Sequence, residues 1–197
     1  MPRAAACVVV AATLACAAPG RVGAQAWIQL RLSTGAYRYA DVSYAFANRM
    51  VLDANVVAFS GGQVYYVGAG YWFGSDSGWS VTPIFYGVLG TAGAERGVAL
   101  GGYLYLDRGG WRAQGFAGHF VPTSGTVSGY TYVDAFDLTR VIGDWELGAS
   151  VSGYEYEGSL YGLLGPTLKR NDAVGTWAVS WLTGDGSEFR VIRTFEF

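Results

Sequence analysis

The sequence predicts an all-β fold: a transmembrane antiparallel up-and-down β-barrel of about twelve strands, with ten as the alternative count. Long segments alternate between apolar and polar residues with a period of two, which is the pattern of strands with two different faces. Clusters of turn-forming residues separate these segments at regular intervals. The composition, 51% hydrophobic but only 14% charged, leaves too few charges for a surface that meets water everywhere.

Composition and charge exclude several classes of protein. A chain with 16% aromatic residues is too rich in core-forming side chains to be disordered. Beyond the N-terminal segment no apolar run approaches 18 residues, which excludes a helical membrane protein. The formal net charge is −2 and no basic patch occurs, so nucleic acid is excluded as a partner.

The N-terminal 24 residues have the features of a secretory signal peptide. A short positive start, Met1-Pro2-Arg3, precedes the small and apolar run from Ala4 to Ala18, and Val22-Gly23-Ala24 supplies small residues at a cleavage site. We therefore divide the chain into a signal peptide, 1–24, and a barrel, 25–197. Lipidation at Cys16 is the alternative, although Thr13 stands where an aliphatic residue is usual. Either way the mature barrel has no disulfide framework, because both cysteines lie before residue 25.

The face of each strand can be assigned directly where the alternation is regular. Trp145, Leu147 and Val151 fall on one face of the ninth predicted strand, whereas Glu146 and Ser150 fall on the other. A strand of about eleven residues, rising ~3.3 Å per residue and tilted by ~40°, spans about 28 Å, close to the ~25 Å apolar band of a membrane barrel. The apolar faces are therefore expected to meet lipid.

Aromatic residues group by strand direction, as expected for side chains at the two membrane surfaces. We predict one ring at the end that holds both chain termini and a second ring at the opposite rim. The first ring comprises Trp27, Phe46, Trp72, Phe73, Trp79, Trp111, Trp145 and Phe197. The second comprises Tyr37, Tyr39, Phe59, Tyr130, Tyr154, Tyr156, Tyr161 and Trp181.

The last strand carries a resemblance to a known superfamily. Phe189, Val191 and Phe195 alternate toward a terminal Phe197, and this ending, together with the signal segment and the paired amphipathic strands, resembles the bacterial outer-membrane β-barrel proteins. That resemblance implies an outer-membrane location and a terminal aromatic strand, Phe189 to Phe197, that the barrel-assembly machinery recognises. It also implies outer-membrane lipids and the secretion translocon as partners. By strand count the chain is similar to YaiO-like proteins, without a diagnostic motif.

Some residues conflict with the simple pattern. Arg193 occupies an apolar-face position, so it must snorkel, lie beyond a bulge or mark an error in register. Pro83 and Pro166 fall inside strands, where we expect bulges. The face of the eighth predicted strand stays open, because either Asp134 or Asp137 must lie among aliphatic neighbours. A soluble lipocalin-like binding protein is the rival fold, with an apolar interior and a polar exterior.

If lipid covers the apolar faces, the polar faces line the lumen. The candidates for lining residues are Arg31, Asp53, Asn55, Arg112, Gln114, Glu146, Lys169, Glu188 and Arg190. Charges of both signs favour a passive, weakly selective channel for small solutes. Equally, Arg31, Arg112 and Arg190 could pair with Asp53, Glu146 and Glu188 as struts of a structural barrel. We expect a small porin-like or structural barrel that is not an enzyme.

An enzyme is the alternative, and it depends on His119, the single histidine. Ser124 and Ser128 in the next loop and Asp134 on the next strand could complete a hydrolase triad, as in an outer-membrane lipid hydrolase or acyltransferase. One histidine and no mature cysteine leave little for a metal site. Gly68-Ala69-Gly70 lies within a strand and opens no helix, so no nucleotide site is indicated and no cofactor is expected.

Overall fold

The structure, a computed structural model, describes residues 25–35, 37–75, 78–91, 96–124 and 127–197. The predicted signal peptide, 1–24, lies outside the described residues, and its cleavage stays a prediction. Among the described residues no helix is long and apolar enough to cross a membrane.

Thirteen strand segments follow one another along the described part of the chain. They are β1 (Gln25–Ser33), β2 (Tyr37–Ala45), β3 (Met50–Phe59), β4 (Gly62–Tyr71), β5 (Phe73–Gly74), β6 (Trp79–Gly90), β7 (Arg96–Arg108), β8 (Trp111–Ser124), β9 (Tyr130–Ile142), β10 (Trp145–Tyr156), β11 (Ser159–Asp172), β12 (Gly175–Gly184) and β13 (Ser187–Glu196). The two-residue β5 continues β4 along the same side of β6, so the segments form twelve barrel strands.

The sheet closes into a ring. Each strand pairs antiparallel with its neighbour in sequence, and β1 pairs with β13 from Trp27–Glu196 to Ser33–Arg190. Ala26 and Phe197 exchange two backbone hydrogen bonds, 3.1 Å and 2.9 Å long, at this seam. Closure leaves no open sheet edge in the bilayer, where an unpaired backbone group would have no water to bind. The predicted up-and-down barrel is confirmed, with twelve strands rather than ten.

The polarity of the barrel is inverted relative to a soluble protein. Leu160, Val67 and Leu32 on the outer face are 78%, 66% and 65% exposed, whereas Arg31, Glu146 and other charged side chains inside are almost fully buried. An apolar exterior around a polar interior is the arrangement that lipid requires. It excludes the lipocalin-like alternative, whose exterior would meet water.

We call the end that holds Gln25 and Glu196 the termini end and the opposite end the loop end. Trp79, Trp111 and Trp145 lie exposed on the outer face at the termini end, as predicted for a membrane girdle. The prediction is wrong for Trp27 and Trp72, which pack against the apolar cluster inside the barrel. Each lies an even number of residues from an inward-facing side chain, Arg31 for Trp27 and Tyr66 for Trp72. The alternation of the strands therefore already indicates that both indoles face inward.

The predicted second ring is also partly wrong. At the loop end Trp181 is exposed on the outer face, but most of the aromatic residues assigned to this rim line the interior instead. The inward-facing members are Tyr39, Phe59, Tyr130, Tyr154, Tyr156 and Tyr161. The side chain of Tyr37 lies outside the described residues. The loop-end aromatics therefore surround an internal space rather than anchoring the barrel in lipid.

Arg193 lies on the outer face near the termini end. Its guanidinium donates to both carboxylate oxygens of Asp172, over 2.9 Å and 3.0 Å, and lies over the rings of Trp177 and Phe195. The ion pair and the two rings together shield the charge, so Arg193 reaches the membrane surface by snorkelling and the register of β13 is intact.

The two prolines interrupt hydrogen bonding without shifting the register. The β4–β6 ladder stops at Gly70–Ile84 and resumes in the same register at Phe73–Val81, so the gap lies opposite Pro83. Pro166 pairs in register with Ala149 on β10, and only the ladder with β12 is interrupted. The expected bulges at these positions are wrong, because a missing N–H removes single rungs while the remaining ladder holds the strands in place.

A bulge occurs instead in β9, at Ala135. This residue has a φ of 45°, and the pairings of β9 with both β8 and β10 shift by one residue there. The extra residue reverses the inside–outside parity, so that Asp134 above it and Asp137 below it both point into the barrel. The sequence left open which of the two aspartates faces inward, and the structure shows that both do.

We expect the side chain of Phe197 to matter for assembly more than for the folded barrel. It is 66% exposed and its backbone closes the seam with Ala26. Phe197→Ala keeps that backbone, so a reduced level of folded, heat-modifiable barrel in the outer membrane would reflect lost recognition of the aromatic terminus. The equally exposed Val67→Ala is the control. Normal levels of folded Phe197→Ala protein would contradict the predicted assembly signal, which comprises Phe189, Val191, Phe195 and Phe197.

Candidate functional site in the barrel interior

The interior contains an apolar cluster and several groups of charged side chains. The apolar cluster is a packed set of buried side chains on β3, β4 and β6 to β8. Its members are Val51, Val64, Tyr66, Ile84, Tyr86, Val88, Ala99 and Phe120. The prediction that polar faces line the lumen does not account for this cluster. Ile84, Tyr86 and Val88 alternate in step with the buried, inward-facing Thr82 on β6.

The first charged group is a compact cluster near the termini end. Arg112 donates to Asp107 over 2.9 Å and forms a close ion pair with Glu146. Glu146 also accepts hydrogen bonds from Thr139 at 2.8 Å and Asn171 at 3.0 Å. Because donors surround its carboxylate, Glu146 is held in the interior although its side chain is only 1% exposed.

Lys169, which lies opposite Glu146 in the β10–β11 register, forms a further ion pair with Asp137. Their Nζ and Oδ2 atoms are 2.6 Å apart, and both side chains are almost fully buried. The β9 bulge allows Asp137 to form this pair while Asp134 also faces inward. The pair joins β11 to β9 across the intervening strand β10.

A bridge of side chains crosses the middle of the lumen. Both terminal nitrogens of Arg31 on β1 donate to the carboxylate of Asp134 on β9, one of them over 2.6 Å. On the ring of strands β1 and β9 are five positions apart by the shorter way round, so this contact spans the interior. Arg190 supports it, donating to Ser152 and Glu188 over 2.5 Å each, with Asp134 at 3.8 Å.

Asp41 and Asp53 form a separate acidic group. The hydroxyl of Tyr103 lies 3.3 Å from a carboxylate oxygen of each, and Asp53 also accepts hydrogen bonds from Ser43 and Asn55. The predicted pairing of Arg31 with Asp53 is wrong, since Arg31 bonds to Asp134. The other two predicted pairs, Arg112 with Glu146 and Arg190 with Glu188, do occur.

Above the Arg31–Asp134 bridge the interior widens into a cavity of about 670 Å³ near the loop end, which we call the vestibule. Its wall is rich in aromatic residues, with Phe59, Phe116 and seven tyrosines, and its charged residues are Arg31, Asp134, Asp185, Glu188 and Arg190. The tyrosines are Tyr39, Tyr66, Tyr130, Tyr132, Tyr154, Tyr156 and Tyr161. Below the bridge the charged side chains are packed together with little exposure.

The structure places the predicted lining residues at different depths. Arg31, Asn55, Glu188 and Arg190 border the vestibule. Arg112, Glu146, Lys169 and Asp53 lie buried or half-buried nearer the termini end, and Gln114 on β8 is half-buried with the inward parity of Arg112. That these side chains line a path for solute stays a prediction.

The residues proposed for a hydrolase do not form a triad. His119 lies exposed on the outer face, with its Nδ1 atom 2.8 Å from the hydroxyl of Thr131. Ser128 donates to Glu157 over 2.8 Å, and Asp134 is held inside the barrel by Arg31. A wall of the barrel therefore separates the histidine from the carboxylate that would have to orient it. Among the described residues no group of three potential ligands could hold a metal ion.

Known proteins resemble this chain in fold but not in sequence. No family model and no curated protein matches it. A solved structure of KdgM porin has a TM-score of 0.63 at 14% identity, covering 88% of this chain and 99% of its own. KdgM porin in complex with disordered oligogalacturonate has a TM-score of 0.61 at 16% identity, with the same coverage. A third structure, from work on in-meso crystallization of membrane proteins, has a TM-score of 0.56 at 11% identity, covering 88% of this chain and 84% of its own.

These likenesses agree with the inverted polarity and the closed ring of strands. A barrel with lipid-facing leucines outside and ion pairs inside cannot be stable in water, and the KdgM porin structures share its fold. The chain therefore has the fold of a twelve-strand outer-membrane β-barrel of the porin type.

Proposed function

We propose that this barrel is a small passive channel that takes up small hydrophilic solutes from the vestibule. The observation that carries the proposal is the vestibule itself, a cavity of about 670 Å³ inside a membrane barrel, which a purely structural wall would not need. If the two chain termini lie on the periplasmic side, the loop end and its vestibule face the exterior of the cell. The fold of the KdgM porins supports this function by analogy.

The Arg31–Asp134 bridge is the expected constriction of the channel. It crosses the lumen directly below the vestibule, and solute can pass only beside it or when its side chains move. Carboxylates outnumber cationic side chains in the interior, and each interior cation lies beside at least one of them. We therefore expect a low conductance with weak selectivity, biased toward cations.

A structural barrel is the second candidate, and specific contacts favour it. The Arg112–Glu146 pair ties β8 to β10 and the Lys169–Asp137 pair ties β11 to β9. Arg190 on β13 also donates to Ser152 on β10 across the interior. In that case the interior charges act as struts and the vestibule is a closed recess.

The outer-membrane lipids, the barrel-assembly machinery and the secretion translocon stay proposed partners, and the YaiO-like relationship stays a hypothesis. Small solutes are the proposed cargo. KdgM porin has been solved with oligogalacturonate, but at 16% identity that ligand is not carried over to this chain.

Planar bilayers test the channel directly. The wild-type protein should conduct small ions in small, weakly selective steps, and removing both side chains of the bridge, in Arg31→Ala/Asp134→Ala, should raise the single-channel conductance. Leu160→Ala, on the lipid-facing side, is the matched control and should leave the conductance unchanged. Silence of both the wild type and the double variant, with folded protein in the bilayer, would favour the structural barrel.

A further inference from the structure

Two stacked tyrosines form part of the wall of the vestibule. Tyr154 and Tyr161 face each other across β10 and β11 with their rings stacked, 4.9 Å between centroids and 20° between planes. They are 48% and 42% exposed, so broad aromatic faces remain open to the cavity. Aromatic faces left open in a water-filled mouth are a suitable surface for a flat, partly apolar ligand.

Tyrosines on the adjoining strand β9, together with side chains of β4 and β8, add hydroxyl groups and further rings to this aromatic surface. The hydroxyls of Tyr66 and Tyr130 are 3.0 Å apart, and the rings of Phe116, Tyr132 and Tyr130 follow one another with centroids 5.8 Å apart at each step. The ligand would therefore meet apolar ring faces and phenol groups together. Pyranose sugars present this combination, with a C–H face and a rim of hydroxyls.

The charges of the vestibule decide which kind of sugar fits. Arg31 is engaged in a bidentate pair with Asp134, and Arg190 is held by Glu188 and Ser152. Asp185 adds a further carboxylate, which accepts a hydrogen bond from the backbone of Gly162 at 2.6 Å. A carboxylated sugar would have to displace one of these carboxylates to reach a guanidinium, and would meet repulsion from the others.

We propose that the vestibule binds short neutral oligosaccharides by stacking on Tyr154 and Tyr161. Its volume of about 670 Å³ is within the ~300–1,000 Å³ of sites that enclose a small organic ligand, which suits a chain of two or three sugars. The proposal names the substrate class of the channel proposed above and rests on that function only for what happens after binding.

Binding can be measured without conduction, by calorimetry or tyrosine fluorescence on the folded barrel in detergent micelles. Maltotriose is the neutral probe and trigalacturonate the acidic one. Maltotriose should bind more tightly than trigalacturonate, and Tyr154→Ala/Tyr161→Ala should weaken maltotriose binding roughly tenfold or more. The control is Tyr71→Ala, an exposed tyrosine on the outer face near the termini end, which should leave binding unchanged.

The outcomes separate this inference from the channel itself. Maltotriose binding by a barrel that does not conduct would keep the sugar site and remove the channel. A conducting barrel that fails to bind maltotriose, binds trigalacturonate more tightly, or binds equally well after loss of both tyrosines would overturn the sugar site and leave the channel.

Discussion

Arg31→Ala should destabilise the barrel by about 3 kcal/mol, toward the lower end of the range for breaking a buried ion pair. The guanidinium of Arg31 is 1% exposed, and its removal leaves Asp134, 25% exposed, without its bidentate donor. The remaining contact of Asp134 with Arg190, at 3.8 Å, is too long to replace it. Equilibrium urea unfolding in lipid vesicles, followed by heat-modifiable mobility, measures the change.

The partner variant provides the control for this prediction. Asp134→Ala should cost a similar amount, and Arg31→Ala/Asp134→Ala should cost clearly less than the two single losses together, because no charge is then left unpaired. Arg108→Ala, which removes an exposed arginine near the termini end, should have little effect. Additive single and double losses would show that the bridge contributes no coupling energy.

Arg112→Glu should also have a large effect, because it places a third carboxylate between Asp107 and Glu146. Arg112 now neutralises both, at 2.9 Å from Asp107 and in a closer pair with Glu146, and Glu146 is 1% exposed. We expect a loss of several kcal/mol in unfolding free energy if Glu146 stays buried. Where the barrel still folds and conducts, the reversal potential should shift toward cation preference.

Two further variants make this prediction specific. Arg112→Lys keeps the charge and should recover most of the stability, and Arg112→Glu/Glu146→Gln should be more stable than Arg112→Glu alone. A silent wild type together with a destabilised Arg112→Glu variant would remove the channel hypothesis and leave a structural barrel. A conducting Arg112→Glu barrel with an unchanged reversal potential would place the solute path away from this cluster.

The architecture could be predicted from sequence because each strand separates two different environments. Lipid on one side and the interior on the other impose the alternation of Trp145, Leu147 and Val151 with Glu146 and Ser150, and that pattern is local. Strand ends followed from the turn residues for the same reason. These local signals were enough for the strand count, the direction of the strands and the inverted polarity.

Contacts across the lumen could not be predicted, because alternation does not encode what lies opposite. Asp134 is 103 residues from Arg31 along the chain, and nothing in the alternation indicates that it, rather than Asp53, is the partner of Arg31. The bulge at Ala135 breaks the period by a single residue, so the pattern left Asp134 and Asp137 in conflict. Aromatic residues near strand ends occur both at the membrane surface and inside barrels, so their position along the strand does not identify the environment of the loop-end tyrosines. Only the alternation of side chains along each strand shows that these tyrosines face inward.

The Arg31–Asp134 bridge affects how the ring of strands closes. Arg31 belongs to β1 and Asp134 to β9, so in an unclosed sheet the two groups are far apart and each remains in water. Their attraction contributes only once β1 has joined β13, at the same moment as the seam hydrogen bonds between Ala26 and Phe197 form. Closure should therefore be an all-or-none event, and a half-closed barrel should be scarcely populated during insertion.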